Sequence, residues 1–324
     1  MRTSARFPEI DHRTGHYESF YLKATEPSGG RGVWIRYTVH KRPNADPTCS
    51  LWFTLFAPDA PQATKVTFDA TSLTTPQGSY IRIAEAEIAP GRAYGSISSE
   101  ALNANWDLTF SDRHQVLRHL PADWMYTGPL PRTKLLSPHP GVLWSGRLTV
   151  DNERIDLRDW PGMVGHNWGR EHAERWIWLH APLRDGGYLD IGAGRIKLGP
   201  LTTPWVANGM LVLDGAAHRL GGLPGVPRTH IDELPDQCNF VLPSKEVAVR
   251  GRVSAPRERY VGWVYADPDG GEHNTVNCSI ADLDLEIDRP GETPQRMHVS
   301  GSATYELGMR ETDHGIPMQP FPDG

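Results

Sequence analysis

The feature that most constrains this chain is its punctuation. Thirty-two glycines and 28 prolines in 324 residues divide it into short β-branched and aromatic runs and leave little room for segments of helical period. Several runs alternate with period two. Residues 105–111 put Trp106, Leu108 and Phe110 on one side and polar residues on the other, as a strand with one wet face requires. Residues 33–39 place Val33, Ile35, Tyr37 and Val39 on one face and Arg36 and Thr38 on the other, which reads as a second half-buried strand. Further runs lie at 51–57, 65–69, 80–88, 143–150, 176–181, 205–213, 246–253, 260–265, 276–287 and 299–307. Between them sit turn sequences such as Asp185-Gly186-Gly187 and Asp214-Gly215, whose residues tolerate positive φ in hairpin loops.

A chain of strands and tight turns is a meander, and meanders lose their exposed edges by closing into barrels; about eight strands enclose room for one small ligand. The length suits two such units at roughly 150 residues each. The sequence therefore predicts an all-β protein of two tandem lipocalin-like antiparallel barrels: 1–160, 161–310 and an extended tail over 311–324. The irregular stretch 157–162, with Pro161 and Gly162, is expected to be the join, and 220–235 a long loop within the second half.

Composition narrows the function. A net charge of -6 with no concentrated basic patch argues against nucleic acid as a partner, because phosphate binding needs an organised excess of Lys and Arg. No apolar run approaches the ~20 residues that cross a bilayer, and residues 1–10 lack the apolar core of a secretory signal, so a cytoplasmic protein without an integral membrane segment is expected. Cys49, Cys238 and Cys278 are too few and too scattered for a disulfide framework or a cysteine zinc cluster, and read as buried thiols. Gly192-x-Gly194 lacks dinucleotide-loop spacing, and His166, His172 and His180 with Glu171 match no metal-ligand spacing. Neither a cofactor nor a metal is expected.

The most specific passage is Gly165-His166-Asn167-Trp168-Gly169 followed by Trp176-Ile177-Trp178-Leu179-His180. Trp176, Trp178 and His180 share one face of a strand. Two indoles and an imidazole form a wall that would bury and stack an apolar, unsaturated ligand, or would simply fill a core.

This passage resembles the Asn-Trp-Gly and Trp-x-Trp signature of tocopherol cyclase and of two-domain lipocalin-like proteins that include carotenoid hydratases. Residues 17–24 and 33–39 are similar to the first strands of the hydratase type, and 277–281 to part of its second domain. The resemblance implies paired calycin barrels and a pocket for an isoprenoid-like molecule, in a group whose members include catalysts that protonate carbon–carbon double bonds. Relatives often carry acidic or basic residues just before the Trp-Gly pair, where this chain has Gly165, His166 and Asn167.

Protonating an alkene needs a strong acid in a dry pocket, and aromatic faces can steady the resulting cation. The candidate acids and bases are His166, Glu171 and Asp190, with Glu174 and His172 nearby. The candidate ligand-binding residues are Asn167, Trp168, Trp176, Trp178, His180 and Tyr188. Two functions fit: an enzyme hydrating or cyclising an apolar substrate in a barrel cavity, or a carrier that binds such a molecule unchanged.

Overall fold

A computed structural model describes residues 3–323 and bears out the all-β reading, with two large, curled antiparallel sheets. The first comprises β1 (His16–Thr25), β2 (Gly32–Lys41), β3 (Thr48–Phe56), β4 (Gln62–Phe68), β5 (Leu73–Thr74), β6 (Ile81–Ile83), β7 (Ala86–Ala89), β8 (Arg92–Ser98), β9 (Asn103–Asp112), β10 (Leu117–Arg118), β11 (Thr133–Val150) and β12 (Glu153–Gly169). Its order is β4-β3-β2-β1-β12-β11-β9-β8-β7-β6-β5, with β10 beside β11. After β13 (Arg175–Pro182) and β14 (Tyr188–Arg195), a small ribbon of β15 (Lys197–Leu198) and β16 (Leu201–Thr202) stands apart. The second sheet continues with β17 (Val206–Leu213), β18 (Ala216–Gly221), β19 (His230–Leu234), β20 (Gln237–Pro243), β21 (Ala248–Ser254), β22 (Val261–Ala266), β23 (Glu272–Asp288) and β24 (Gln295–Met309). Its order is β18-β17-β14-β13-β24-β23-β21-β20-β19, with β22 beside β23.

Each sheet curls until distant strands meet, β4 with β8 and β18 with β20, so each forms a half-barrel around its own apolar interior. Phe20, Ile35, Phe53, Trp106 and Leu108 fill the first. Leu179, Ile191, Leu211, Leu242 and Leu307 fill the second. The interior faces are thus packed with side chains, which corrects the expectation of indole-lined hollow cylinders.

The alternation of β9 is as expected, with Trp106 and Leu108 buried between exposed Asn105, Asp107 and Thr109. That of β2 is not: all ten residues of β1 and all ten of β2 are buried. The convex face of the first half-barrel carries Tyr17, Ser19, Tyr21 and Lys23 on β1 and Trp34, Arg36 and Thr38 on β2, and it packs against the second sheet. Trp263 lies 6.4 Å from Trp34 and 5.0 Å from Trp52 between ring centroids. The Arg36 guanidinium sits 4.0 Å over the Tyr265 ring, and Lys23 Nζ donates to the Ser302 carbonyl at 2.9 Å. Polar residues in a strand signalled a wet face; here that face is the seam between two sheets.

The stretch 157–162 lies inside β12, where Asp159 takes a positive φ of 51°, and the chain crosses between the sheets over 170–174. Residues 220–235 hold a 3-10 turn, Leu223–Arg228, and strand β19 rather than one long loop. The C-terminal segment is extended and anchored: Met318 bridges Gly262, and Lys65 pairs with Asp323 at 2.8 Å. The three cysteines are free and buried. No helix among the described residues is long and apolar enough to cross a membrane.

Candidate functional site

Antiparallel pairing of β13 with β14 sets Trp178 opposite Gly192 and His180 opposite Asp190. These residues, with Trp176 and Tyr188, occupy the convex face of the second sheet and therefore look into the seam. Alternation put Trp176, Trp178 and His180 on one face correctly; it could not say which side of the sheet would be concave.

Asp190 is the centre of this region. Its side chain is wholly buried and joins both sheets: Ser137 Oγ of β11 donates to Oδ2 at 2.6 Å, and Trp178 Nε1 donates to Oδ1 at 3.3 Å. His119 Nε2, next to β10, lies 3.5 Å from Oδ2. Burial pushes the Asp190 pKa up. The charges of His119 and His180, with hydrogen bonds from His119 and Ser137, outweigh burial and hold it below the ordinary carboxylate value.

Around this anion the other groups are held neutral or weakly charged. Burial and then the charge of Lys23 push His180 down to about 4, while its Nε2 lies 2.8 Å from the Pro140 carbonyl of β11. Burial alone sends Lys23 down to about 7, against smaller opposing contributions that include Asp190. Burial, reinforced by Asp190, raises the phenols of Tyr21 and Tyr188. Tyr21 meets the Trp178 ring edge-on at 5.0 Å.

A cleft of about 160 Å³ opens beside this cluster, lined by Val142, Leu143, Gly141 and Gly162 of the first sheet and by His180 and Tyr188 of the second. The glycines make the space: a Cβ on Gly141 would come within 3.1 Å of the Tyr188 ring, and one on Gly162 would strike the Lys23 carbonyl. His114 Nε2 reaches across to the Gly186 carbonyl at 2.9 Å, and Asp190 lies two residue pairs farther along the strands than Tyr188. A larger open groove over β21, β23 and β24 is lined by Arg250, Arg252, Glu286 and Arg296, a charged surface unsuited to an apolar ligand.

The other sequence candidates go elsewhere. His166 points into the first half-barrel, where its Nε2 lies 2.7 Å from Glu18 Oε1 and its ring stacks on Phe20 at 3.9 Å. Glu18 also accepts from the Arg6 and Phe7 backbone N–H groups. Despite the opposing effect of burial, hydrogen bonds from His16 and His166 bring it down to about 2. Glu171 is partly exposed on the crossing segment and ion-pairs with Arg132; Glu174 pairs with Arg310. Neither reaches the Asp190 cluster. Trp168 joins Tyr126 and Leu136 in a satellite cluster, whereas Asn167 faces the other way, as neighbours in a strand must.

The signature glycines are packing devices. A Cβ on Gly165 would lie 2.1 Å from Tyr21 Cζ, and one on Gly169 would lie 2.1 Å from the Arg132 carbonyl. Trp176 lies apart from Asp190: its Nε1 donates to Glu306 Oε1 at 3.0 Å, and its ring stacks on His172 at 5.3 Å.

Several members of the site were not legible. His119 and Ser137 carry no local signal and meet Asp190 through sheet packing. Arg36 reads as part of the polar face of a half-buried strand, and nothing local marks Lys23. Glu306, which also accepts from Tyr265 Oη and Asn277 Nδ2, sits in an otherwise ordinary strand.

No known family profile matches the chain. An uncharacterized protein of Mycobacterium tuberculosis strain H37Rv, Rv0493c, is 27% identical over 316 residues, covering 95% of this chain and 91% of its own; its counterpart in strain CDC 1551 matches equally. Among solved structures, a protein described as AttH from Nitrosomonas europaea superposes with a TM-score of 0.58 at 14% identity, over 94% of this chain and 96% of that one. Kievitone hydratase from Nectria haematococca gives a TM-score of 0.52 at 8% identity, over 91% and 89%. The chain shares their lipocalin-like barrel fold.

Proposed function

We propose that this protein binds the end of a lipophilic, isoprenoid-like molecule in the seam between its two half-barrels and hydrates a carbon–carbon double bond there, with the Asp190–His119 pair moving the proton. The observation that carries the reading is Asp190 itself, a fully buried carboxylate set between Trp178 and His119 beside a cleft that reaches His180 and Tyr188. The fold shared with kievitone hydratase and the sequence resemblance to carotenoid hydratases support the same class of chemistry.

At about 160 Å³ the cleft is smaller than the 300–1,000 Å³ of pockets that enclose whole small molecules, which favours entry by one end of a long ligand. A carboxyl group whose pKa is held low is a strong acid when it carries the proton, and His119 is placed to reload it. The proton passes from Asp190 to one alkene carbon; water adds to the other and returns a proton to the pair. The resulting cation would face the Asp190 carboxylate and the Trp178 indole, both of which favour positive charge.

The full complement of hydrogen-bond donors around an ionised Asp190 also favours a second reading, in which the carboxylate braces the seam of a carrier. Incubation with farnesol in deuterated buffer, followed by mass spectrometry, separates the two. Hydration yields a product heavier by water and bearing carbon-bound deuterium, lost by about 10²-fold or more in Asp190→Asn. Binding of farnesol that is recovered unchanged and unlabelled supports the carrier and overturns the enzyme.

A further inference from the structure

The face that carries Trp178 and His180 ends, at Trp176, against a second cluster of chemistry-bearing groups. We infer that His172, Asp267 and His273 form a binding site for one divalent first-row transition-metal ion of the zinc type, tying the crossing between the sheets to the hairpin of β22 and β23. Each offers one ligand atom, and these lie within 4.8 Å of one another; it is the one group of three such donors converging in this way among the described residues.

All three are buried, His172 with 9%, Asp267 with 1% and His273 with none of its surface exposed. Asp267 Oδ1 accepts from both the backbone N–H and Nδ1 of His172 at 2.7 Å, and its Oδ2 lies 3.8 Å from His273 Nδ1.

The second observation is what the ring nitrogens lack. Neither nitrogen of His273, nor Nε2 of His172, makes a well-formed hydrogen bond. A neutral imidazole has one N–H and one lone pair, and leaving such groups unsatisfied in a protein interior is destabilising. A bound cation would engage an imidazole lone pair directly. Two imidazoles and one carboxylate suit zinc and its first-row neighbours, whereas calcium and magnesium prefer sets composed of oxygen.

Tetrahedral bonds of about 2.0–2.1 Å place neighbouring ligand atoms about 3.3 Å apart. The ligand atoms of the three residues lie within 4.8 Å of one another, so side-chain rotations must draw them together to close on an ion. Tyr17 of the first sheet stacks on His172 at 3.9 Å, and Trp176 approaches His273 at 5.0 Å. This aromatic shell orients the rings and limits solvent around them.

The histidines beside other carboxylates differ in kind. His139 pairs with Asp112 and His298 with Asp284, each with a single imidazole. Glu18 has two imidazoles beside it, His16 and His166, but it also accepts from the Arg6 and Phe7 backbone, and these three side chains do not converge as His172, Asp267 and His273 do. The chain spacing gave no sign of the cluster, because Asp267 stands 95 residues from His172.

The test uses the full chain stripped with chelator and titrated with zinc, with metal content, thermal unfolding and the visible spectrum of the cobalt form as readouts. One zinc per chain, a rise in Tm and a tetrahedral cobalt spectrum are expected. His273→Gln and Asp267→Asn should each weaken binding by about tenfold or more and abolish the zinc-induced rise in Tm, while His298→Gln leaves both unchanged. X-ray absorption of the zinc form of the unaltered protein, expected to show two imidazoles and an oxygen donor, keeps the test decisive if a variant unfolds. Absence of binding at one equivalent, binding unaffected by both substitutions, or a zinc shell without two imidazoles would overturn the site.

Discussion

The two half-barrel interiors and the seam between them are equally buried, yet they are built from different materials. The interiors are mainly apolar, with Leu179, Ile191, Leu211 and Leu242 in one and Ile35, Phe53, Trp106 and Leu108 in the other. The seam holds Lys23, Arg36, His180, Asp190 and Glu306 among tryptophans and tyrosines. The contrast teaches where chemistry can reside. An apolar interior gains stability by removing apolar surface from water, while the seam spends some of that gain on desolvated charges that persist only because each has a partner. Burial that stabilises and burial that tunes protons are thus separated by a single strand, since Leu179 faces one region and Trp178 the other.

Substitutions at these adjacent positions should have opposite consequences. Leu179→Ala should cost about 2–5 kcal/mol in chemical denaturation, with farnesol affinity in the surviving folded protein little changed. Trp178→Ala should weaken farnesol binding by about tenfold or more, measured calorimetrically, because it removes the indole that packs on Tyr21 and donates to Asp190 in the proposed site. Equal loss of affinity in both would erase the distinction between interior and seam.

Stability against pH sharpens the contrast, because each region has its own buried ion. Glu18 titrates near 2 in the folded state against an ordinary 4.5. Its contribution, about 3 kcal/mol, is therefore complete above pH 4.5 and lost as the pH falls through 2. Lys23 titrates near 7 against 10.5. Between those values the unfolded chain holds the extra proton, so stability rises with pH. Glu18→Gln should flatten the acid limb of a denaturation series and Lys23→Met the limb above pH 7; interchange of these effects would break the assignment.

A smaller change probes the seam through packing. Gly165→Ala would put a methyl group into the Tyr21 ring and displace the edge-on contact with Trp178. The expected cost is about 1–3 kcal/mol, together with weaker farnesol binding.

The same contrast explains what could be read from the sequence. β9 was legible because one of its faces meets solvent, so polarity reports burial directly. β2 misled because its polar residues are buried against another sheet, where pairing takes the place of water. The Asn-Trp-Gly passage pointed to the right neighbourhood, although its glycines serve close packing and its histidine belongs to the first interior. Asp190, Trp178, His180 and Tyr188 were all nameable from one hairpin. His119 and Ser137 were not, since long-range packing leaves no periodicity in the chain.

The most direct test is a crystal of the protein soaked with a bromine-labelled prenyl alcohol, with the label located by anomalous scattering. The seam account predicts a bromine peak in the cleft between Gly141 and Tyr188, on the approach to Asp190. A peak within the concave interior of either sheet, with the cleft unlabelled, would contradict it.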